Sequence, residues 1–477
     1  MTKVLFAAFE AVPFMKTGGL GDVAGSLPAA LNNNGTEVRL ILPKFSGIHE
    51  KYRNQMEHVA DFRVDLGWRN LFCGIEKLEY NEVTCYFIDN EQYFYRDKPY
   101  GYFDDGERIA FFSKAIMESL QYIDFMPDII HCNDWHTALV PVFLKRFYSG
   151  IPGYDRIRTV FTVHNIKFQG KISRFCTGDI LGLSDEEAAY YGLIDGDALN
   201  YMRGALSTAD RLTTVSPSYA EEVCTDFYGE GCQDIFRSRK CILSGILNGI
   251  DTVFLDPQKD PALPVHYTAR TRKKKADMKI ALQKELGLKE DTDKPLIAVV
   301  SRLTDQKGLD LLLRIIDELM QEDIQFVVLG LGEKKYEDKF RSMAAIMPDK
   351  FSACIFFDEA LSHRIYAGAD LVLVPSLFEP CGLTQMISMR YGSLPLVRET
   401  GGLKDSVIPY NKYTGEGNGF SFANYNAHEL LFTIKDAIEL MRNNKEAWDK
   451  MVRSAMNTDF SWSRSAKEYI DLYEDLS

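Results

Sequence analysis

The chain has 477 residues, of which 46% are hydrophobic and 26% are charged, and its formal net charge is −13. At roughly 150 residues per domain, this length predicts at least two domains that each bury their own core. We expect neither a membrane nor a nucleic-acid partner, because no apolar run approaches the ~18 residues of a bilayer span and an acidic chain binds nucleic acid poorly.

The N-terminus and the cysteines indicate a compartment. The apolar run at residues 4–9 ends at Glu10 without a cleavage-like site, so it predicts a buried first strand and not a signal peptide. The nine cysteines are odd in number and scattered, and none has C-x-x-C spacing. Such a set favours free thiols in a reducing compartment over disulfides or zinc ligands, and we expect a cytoplasmic protein.

Short apolar runs alternate with helical patterns along the chain, which predicts βα units on parallel sheets. In the first half the predicted strands are residues 4–9, 38–42, 83–88, 129–131, 160–163 and 212–215. In the second half they are residues 296–300, 326–329, 353–357, 371–374 and 394–397. The two sets predict an α/β fold with two Rossmann-like, doubly wound domains.

A hinge between the two sets is predicted where turn residues cluster and the apolar periodicity is lost. Residues 247–251 (LNGID) and 256–261 (DPQKDP) have both properties, so residues 1–246 are predicted to form the N-terminal domain. Ligands of open α/β sheets bind beyond the carboxyl ends of the strands. The loops after the predicted strands are therefore the candidate binding segments.

The first of these loops, KTGGLGDVAG from Lys16, is rich in glycine and opens a helix. Glycines let a backbone approach a ligand closely, the amides of a helix N-terminus favour anions, and Lys16 adds a positive charge. The loop is a candidate cradle for phosphate or sugar, and a tight turn without catalytic meaning is the alternative. It matches neither G-x-G-x-x-G nor the P-loop, which argues against dinucleotide oxidoreductases and NTPases.

Two loops of the second half are suited to a nucleotide. Arg302 and Lys307 follow the predicted strand 296–300, and such a pair of cations can neutralise a leaving diphosphate. The alternative is ordinary ion pairing at the surface. Gly330 and Gly332 follow the next predicted strand and are candidate neighbours of the nucleotide.

A further loop combines a carboxylate with backbone amides at the start of a helix. Glu379 follows the predicted strand 371–374 and precedes Cys381, Gly382, Leu383 and Thr384. The carboxylate can bind sugar hydroxyls and the amides can bind phosphate. Alternatively, Glu379 only complements the helix dipole.

Taken together, these segments resemble one family. The motifs are, in chain order, KTGGLGDV from Lys16, HCNDWH from His131, TVHN from Thr162, LNGID from Leu247, SRLxxQKG from Ser301, FEPCGLTQ from Phe378 and RETGGL from Arg398. In this order and spacing they are similar to the bacterial glycogen synthase and plastid starch synthase family. The resemblance covers nearly the whole chain, and the set is specific where each motif alone is not.

The resemblance implies a GT-B glycosyltransferase, in which two Rossmann-like domains face a deep cleft. It implies transfer of glucose from ADP-glucose to the non-reducing end of an α-1,4-glucan, either glycogen or a maltooligosaccharide, with retention of the α anomer. It also implies that residues 247–455 form the domain that binds the nucleotide-sugar. Residues 456–477 are then expected to form a C-terminal helix that returns to the N-terminal domain.

By matched position, the resemblance also implies a set of site residues. The expected catalytic residues are His164, Arg302, Lys307 and Glu379. The expected substrate-binding residues are Lys16, Gly18, Gly19, Asp22, Asp134, Asn248, Gly330, Gly332, Phe357, Cys381, Gly382, Leu383 and Thr384.

Within that set, Arg302 and Lys307 are expected to hold the ADP phosphates and Glu379 the glucose. His164 is expected to line the anomeric centre, and the ring of Phe357 to stack on adenine. Base stacking does not distinguish ADP from UDP.

No metal or other cofactor is expected, because Arg302, Lys307 and the helix N-termini supply the charge that Mg²⁺ supplies elsewhere. The sequence contains no pair of carboxylates that can be identified as general acid and nucleophile. We therefore expect the leaving phosphate to deprotonate the acceptor hydroxyl, while closure of the two domains excludes water. Two alternatives remain open. One is another enzyme of the same fold, such as a UDP-glucose-dependent transferase or a glucan phosphorylase, and the other is a non-catalytic glucan-binding protein.

Overall fold

The computed structural model describes residues 1–476. The chain divides into two compact units, one formed by Met1–Gly249 with Trp462–Ser477 and the other by Ile250–Ser461. Ser477, the last residue of the predicted C-terminal segment, lies outside the described residues.

The second unit begins and ends at one pair of adjacent backbone segments. The N–H of Ile250 donates to the carbonyl of Phe460 at 2.8 Å, and Ile250 forms a parallel bridge with Ser461. This pairing explains why the unit runs from 250 to 461, whereas turn composition and resemblance predicted 247 to 455. The boundaries differ because they depend on a contact between residues far apart in sequence.

The first unit contains a nine-stranded sheet of order β12-β11-β7-β6-β1-β2-β5-β4-β3 and a small sheet of order β8-β10-β9. Its strands are β1 (Lys3–Ala7), β2 (Glu37–Pro43), β3 (Glu57–Leu66), β4 (Arg69–Tyr80), β5 (Val83–Asp89), β6 (Ile129–Asn133), β7 (Arg158–Val163), β8 (Lys171–Ser173), β9 (Ile194–Asp195), β10 (Ala198–Asn200), β11 (Arg211–Thr214) and β12 (Leu243–Gly245). All neighbours from β12 to β5 are parallel, and β4 and β3 are antiparallel additions. The chain order reverses at β1, which lies between β2 and β6.

Helices cover this sheet. They are α1 (Gly19–Asn32), α2 (Glu50–Arg53), α3 (Glu91–Phe94), α4 (Asp105–Ser119), α5 (Leu139–Phe143), α6 (Cys176–Asp179), α7 (Asp185–Tyr190), α8 (Tyr201–Thr208), α9 (Pro217–Glu222) and α10 (Gln233–Ser238). The apolar residues of β1 are completely buried, as expected for a parallel strand with both faces covered.

The second unit contains a six-stranded parallel sheet of order β15-β14-β13-β16-β17-β18. Its strands are β13 (Leu296–Val300), β14 (Gln325–Leu329), β15 (Phe351–Cys354), β16 (Leu371–Val374), β17 (Leu394–Arg398) and β18 (Phe420–Phe422). Its helices are α11 (Lys275–Glu285), α12 (Leu309–Leu319), α13 (Lys334–Ile346), α14 (Glu359–Gly368), α15 (Thr384–Arg390), α16 (Gly401–Ser406), α17 (Ala427–Asn443) and α18 (Lys445–Asn457). Here the chain order reverses between β13 and β16.

The last helix, α19 (Trp462–Glu474), belongs to the first unit and packs against α1. Its Tyr473 hydroxyl is 2.6 Å from Nδ1 of His131 on β6, and Nε2 of that histidine is 2.6 Å from Oγ1 of Thr162 on β7. Ser465 of α19 donates to the carbonyl of Leu247 at 2.6 Å. These buried hydrogen bonds fasten the end of the chain to the centre of the first sheet.

The structure contains a strand at or overlapping each of the eleven predicted positions. The greatest shift is at β15, which was predicted at residues 353–357 and is found at Phe351–Cys354, so Phe357 lies outside the sheet. The ring of Phe351 stacks on Phe326 of β14 with 5.3 Å between centroids, which anchors the earlier register. The β3–β4 hairpin, the three-stranded sheet, β12 and β18 were not predicted.

We expect Tyr473→Phe to destabilise the first unit by about 1–3 kcal/mol, because Nδ1 of buried His131 would lose its partner. Thermal unfolding followed by circular dichroism measures the change. Tyr190→Phe, at an exposed tyrosine of the same unit, is the matched control and should leave the melting temperature unchanged. Equal melting temperatures for both variants would contradict the anchoring role of Tyr473.

Candidate active site

Two loops of the second unit begin at the point where its strand order reverses. Residues 301–308 follow β13 and residues 375–383 follow the neighbouring β16. Such a switch point in an open α/β sheet opens a crevice at the carboxyl ends of the strands, where ligands bind. The two loops carry Arg302, Lys307 and Glu379, the three catalytic residues predicted for the second half.

A glycine allows these two loops to touch. Gly308 has a φ of +68°, and a Cβ at this position would lie 1.9 Å from the carbonyl oxygen of Pro375. Beside it, the N–H of Leu377 donates to the carbonyl of Gln306 at 2.9 Å. Any larger residue at 308 would separate the loops, so the glycine is required for their contact.

The contact brings Lys307 to Glu379. Nζ of Lys307 donates to Oε2 of Glu379 at 2.6 Å, and Oγ of Ser376 donates to the same oxygen at 2.9 Å. The carboxylate is 7% exposed, and the lysine is half-buried. We call Arg302, Lys307, Ser376 and Glu379 the second-unit cluster.

The loop after β17 packs against the backbone of the second-unit cluster. Arg398, at the end of β17, donates to the carbonyls of Ser376 at 2.8 Å and Leu377 at 2.5 Å. Gly401 packs so closely that a Cβ there would lie 2.1 Å from the carbonyl oxygen of Glu379. The motif RETGGL contains both residues, but nothing in its sequence pattern predicts this supporting role for Arg398.

Two side chains that are predicted to contact the nucleotide are exposed to solvent. The guanidinium of Arg302 is exposed and makes no hydrogen bond or ion pair among residues 1–476, and the ring of Phe357 is 84% exposed. Both side chains are therefore available to a ligand. Their contacts with phosphate and base remain predictions.

Gly330 and Gly332 have a packing role in the structure. A Cβ at Gly330 would lie 1.8 Å from the carbonyl oxygen of Ser301, and one at Gly332 would lie 2.1 Å from that of Leu303. The two glycines thus let the backbone on either side of Arg302 lie against the end of β14. The predicted contact of these glycines with a nucleotide remains a prediction.

The segment from Cys381 to Thr384 leads into α15. Gly382 has a φ of +75°, and Nε2 of Gln385 donates to the carbonyls of Gly382 at 2.8 Å and Cys381 at 3.2 Å. The first N–H groups of a helix have no partner within the helix. The predicted binding of sugar or phosphate by Cys381, Gly382, Leu383 and Thr384 remains a prediction.

In the first unit, a buried carboxylate organises the glycine loop. Oε2 of Glu10 accepts from the N–H of Thr17 at 2.5 Å and from its Oγ1 at 2.6 Å, and burial raises the pKa of Glu10. Lys16 forms an ion pair with Asp22 at 2.7 Å and stays half exposed. A Cβ at Gly19 would meet no atom within 4 Å, so this part of the loop is open. Gly18 is the residue before α1, which begins at Gly19.

Asp134 and His164 lie together after β6 and β7. Oδ1 of Asp134 accepts from the N–H of His164 at 2.8 Å, and burial raises the pKa of Asp134 to about 7. Nε2 of His164 lies 2.9 Å from Oδ1 of Asn133, and burial lowers the pKa of His164 to about 3. The imidazole is therefore neutral at physiological pH. An amide oxygen only accepts, so Nε2 carries the proton and Nδ1 is an acceptor.

The structure adds His136, to which the sequence assigned no role. Its ring stacks on Phe9, with 4.9 Å between centroids, and on Tyr100, with 5.4 Å. It is 7% exposed, and burial lowers its pKa to about 3. Neither ring nitrogen has a hydrogen-bond partner within residues 1–476. A buried polar group without a partner costs about 1–3 kcal/mol, so these nitrogens are candidate partners for a bound hydroxyl group or a water molecule.

Asn248 also has a buried polar atom without a hydrogen-bond partner among residues 1–476. It is 6% exposed, and its Oδ1 is buried with no hydrogen-bond partner in the part of the chain that the structure describes. The predicted role of Asn248 in sugar binding fits an acceptor left open in this way, and it remains a prediction. We use the name first-unit cluster for the candidate ligand-binding residues of this unit, which are Lys16, Asp134, His136, His164 and Asn248.

Three properties of residues 1–476 bear on the class of site. No group of three or more His, Cys, Asp or Glu side chains in residues 1–476 could hold a metal ion. Over the same residues, no helix is long and apolar enough to cross a membrane. All nine cysteines are free.

Two doubly wound units, with a lysine–carboxylate contact at a switch point and neutral buried imidazoles elsewhere, have the features of a nucleotide-sugar glycosyltransferase. Comparison with known proteins agrees. Residues 3–238 match the family model "Starch synthase catalytic domain", and residues 283–455 match "Glycosyl transferases group 1".

Relatives that match over nearly their whole length identify the family of glycosyltransferases. The chain is 52% identical to a glycogen synthase of Desulforamulus reducens, over 99% of this chain and 98% of the relative. It is 51% identical to a glycogen synthase of Lachnospira eligens over the whole of both chains. The chain belongs to the glycogen synthase and starch synthase family and is a glucosyltransferase.

A solved structure supports the same conclusion. The catalytic domain of starch synthase IV from Arabidopsis thaliana, bound to ADP and acarbose, superposes with a TM-score of 0.90 at 34% identity, over 100% of this chain and 99% of that one. The sucrose-phosphate synthase of Thermosynechococcus elongatus, at 16% identity and a TM-score of 0.61, shares the fold. The predicted GT-B fold class is thereby confirmed.

We expect His136→Phe to leave the melting temperature unchanged or higher and to lower the initial rate of glucan elongation on the order of 100-fold. The phenyl ring retains the stack on Phe9 and removes two buried polar atoms that have no partner in the protein. Thermal unfolding and elongation of glycogen measure the two effects. If the variant had the same melting temperature and the same elongation rate as the unaltered chain, His136 would have only a packing role.

Proposed function

We propose that this chain transfers glucose from ADP-glucose to the non-reducing end of an α-1,4-glucan, with retention of the α anomer. The observation that carries the proposal is the contact between Lys307 and Glu379 at the switch point of the second unit. The ADP bound by the related starch synthase IV supports the choice of donor. Glycogen or a maltooligosaccharide is the proposed acceptor.

The second-unit cluster has the charges that this donor requires. In the proposed complex, the guanidinium of Arg302 and the ammonium of Lys307 contact the diphosphate and neutralise the charge that develops as it leaves. Glu379, fixed by Lys307 and Ser376, accepts hydrogen bonds from glucose hydroxyls. The exposed ring of Phe357 stacks on the base.

The first-unit cluster is proposed to bind the neutral sugar. His136 and His164 are uncharged at physiological pH. His136 can therefore donate one hydrogen bond and accept another, whereas His164, whose Nε2–H faces Asn133, offers Nδ1 as an acceptor. Oδ1 of Asn248 adds an open acceptor. Lys16 carries the positive charge at the rim of the glycine loop.

For the reaction itself, we propose that the leaving phosphate acts as the base. The bond between C1 of glucose and the phosphate oxygen breaks, the acceptor 4-hydroxyl oxygen bonds to C1 on the same face, and its proton goes to the phosphate oxygen of ADP. Glu379 is unsuited to act as a nucleophile, because its oxygen already accepts from Lys307 at 2.6 Å and from Ser376 at 2.9 Å. The cations supply the charge, so neither a metal nor another cofactor is part of the proposal. The free cysteines are compatible with the cytoplasm as its compartment.

Nucleotide release from ADP-glucose and from UDP-glucose, with and without glycogen and with EDTA present, tests this proposal. We expect glycogen-dependent ADP release that EDTA does not change. Preference for UDP-glucose would overturn the donor, and loss of activity in EDTA would overturn metal independence. No release from either donor would favour a non-catalytic glucan-binding protein, and glucose 1-phosphate formation with bound pyridoxal phosphate would favour a phosphorylase.

We expect Lys307→Ala to lower kcat at least about 100-fold, because the leaving diphosphate would lose a cation and Glu379 its partner. Lys339→Ala removes a lysine of the same unit that is ion-paired with Asp317 at the surface, and it should leave kcat unchanged. Steady-state kinetics on ADP-glucose and glycogen measures both. Near-normal turnover of Lys307→Ala would remove this residue from the mechanism.

A further inference from the structure

A crevice of about 780 Å³ lies in the second unit, and no residue of the second-unit cluster lines it. The loop at residues 409–419, the edge strand β18 and the C-terminal half of α17 enclose it. Its walls include the rings of Tyr410, Tyr413 and Phe420 and the polar side chains of Asp436, Glu439 and Asn443. It shares no residue with the predicted site.

Hydrogen bonds hold the aromatic wall in place. Oδ1 of Asn411 accepts from the N–H groups of Tyr413 at 2.9 Å and Thr414 at 3.2 Å. The N–H of Asn411 donates to the carbonyl of Glu416 at 2.8 Å, which closes the loop. The ring of Tyr413 is nevertheless 87% exposed. A fixed backbone therefore displays a ring that contributes little to the core.

The opposite wall is a polar stripe on α17. Asp436, Glu439 and Asn443 are three and four residues apart and so share one face of the helix. All three are exposed, and their side chains make no hydrogen bond or ion pair anywhere in residues 1–476. Other polar residues of this helix are engaged: Lys435 pairs with Glu318 at 2.9 Å, and Arg442 donates to the carbonyl of Asp323 at 2.8 Å.

Rings on one wall and open carboxylate and amide groups on the other suit a pyranose. The CH face of a sugar packs on an aromatic ring, and its hydroxyls donate to carboxylates and amides. The crevice has two carboxylates and one cation, Lys412, whose ammonium lies 5.2 Å from the centre of the Tyr413 ring. This balance disfavours phosphorylated ligands, and the volume is within the ~300–1,000 Å³ of ordinary ligand sites.

We propose that this crevice is a second glucan-binding site, which holds internal glucosyl units of the polymer that the active site extends. The proposal rests on the proposed function for the identity of the polymer. Holding one chain of a branched glucan raises the effective concentration of its other chain ends at the active site. A short acceptor cannot use both sites, so the crevice acts on polymer substrates alone.

Tyr413→Ala tests the proposal, with Phe432→Ala as the matched control because Phe432 is an exposed ring of α17 that does not line the crevice. Retardation in native gels that contain glycogen, without any nucleotide, measures polymer binding. We expect Tyr413→Ala to raise the glycogen concentration for half-retardation roughly three- to tenfold, the effect of one lost ring contact. Phe432→Ala should migrate as the unaltered chain does, and Tyr413→Phe should restore retardation.

Kinetics separates this site from the active site. With maltotriose as acceptor, Tyr413→Ala should keep kcat and KM, whereas with glycogen its KM should rise. Unchanged retardation of Tyr413→Ala would overturn the proposal, as would an equal loss of activity on both acceptors. If the unaltered chain were retarded by glycogen through Tyr413 but released no nucleotide, the proposed function would fail and the binding site would stand.

Discussion

The chemistry of the second unit depends on one short contact, between Nζ of Lys307 and Oε2 of Glu379. Both groups are largely withdrawn from water, so each charge is stabilised by the other and is fixed in position. The contact exists because Gly308 has no side chain to hold its loop away from Pro375. A backbone constraint thus sets the position of the ammonium and the carboxylate that we propose bind opposite ends of the nucleotide-sugar.

In the first unit, burial acts on titratable side chains by disfavouring their charged forms. Burial lowers the pKa of His131, His136 and His164 to about 3 and raises that of Asp134 to about 7, so the charged forms of these four side chains are disfavoured. Uncharged donors and acceptors suit the hydroxyls of a sugar, and fixed ions suit a diphosphate. Each unit thus has the chemistry that the proposed function assigns to it, which is sugar binding in the first unit and diphosphate binding in the second.

Much of the fold was predictable because parallel strands with both faces covered are continuous apolar runs. The β3–β4 hairpin escaped prediction because its outer face is polar, with buried Phe62, Val64 and Leu66 alternating with exposed residues. The motifs identified Lys307 and Glu379 as site residues, but their contact, and the support from Arg398, depend on loops distant in sequence. His136 could be recognised only from its stacked and unsatisfied ring in the folded chain.

The hydrogen bond between Tyr473 and His131 has a consequence for how the protein is made. The second unit is inserted within the first, so all of its residues are synthesised before α19. Domains generally fold as the chain emerges, N-terminal part first. Here His131 on β6 can form its hydrogen bond with Tyr473 only after α19 has been synthesised. The first unit is therefore incomplete until after the second has been synthesised, and a chain that stopped at Ser461 would keep every residue of the second unit while buried His131 lost its partner Tyr473.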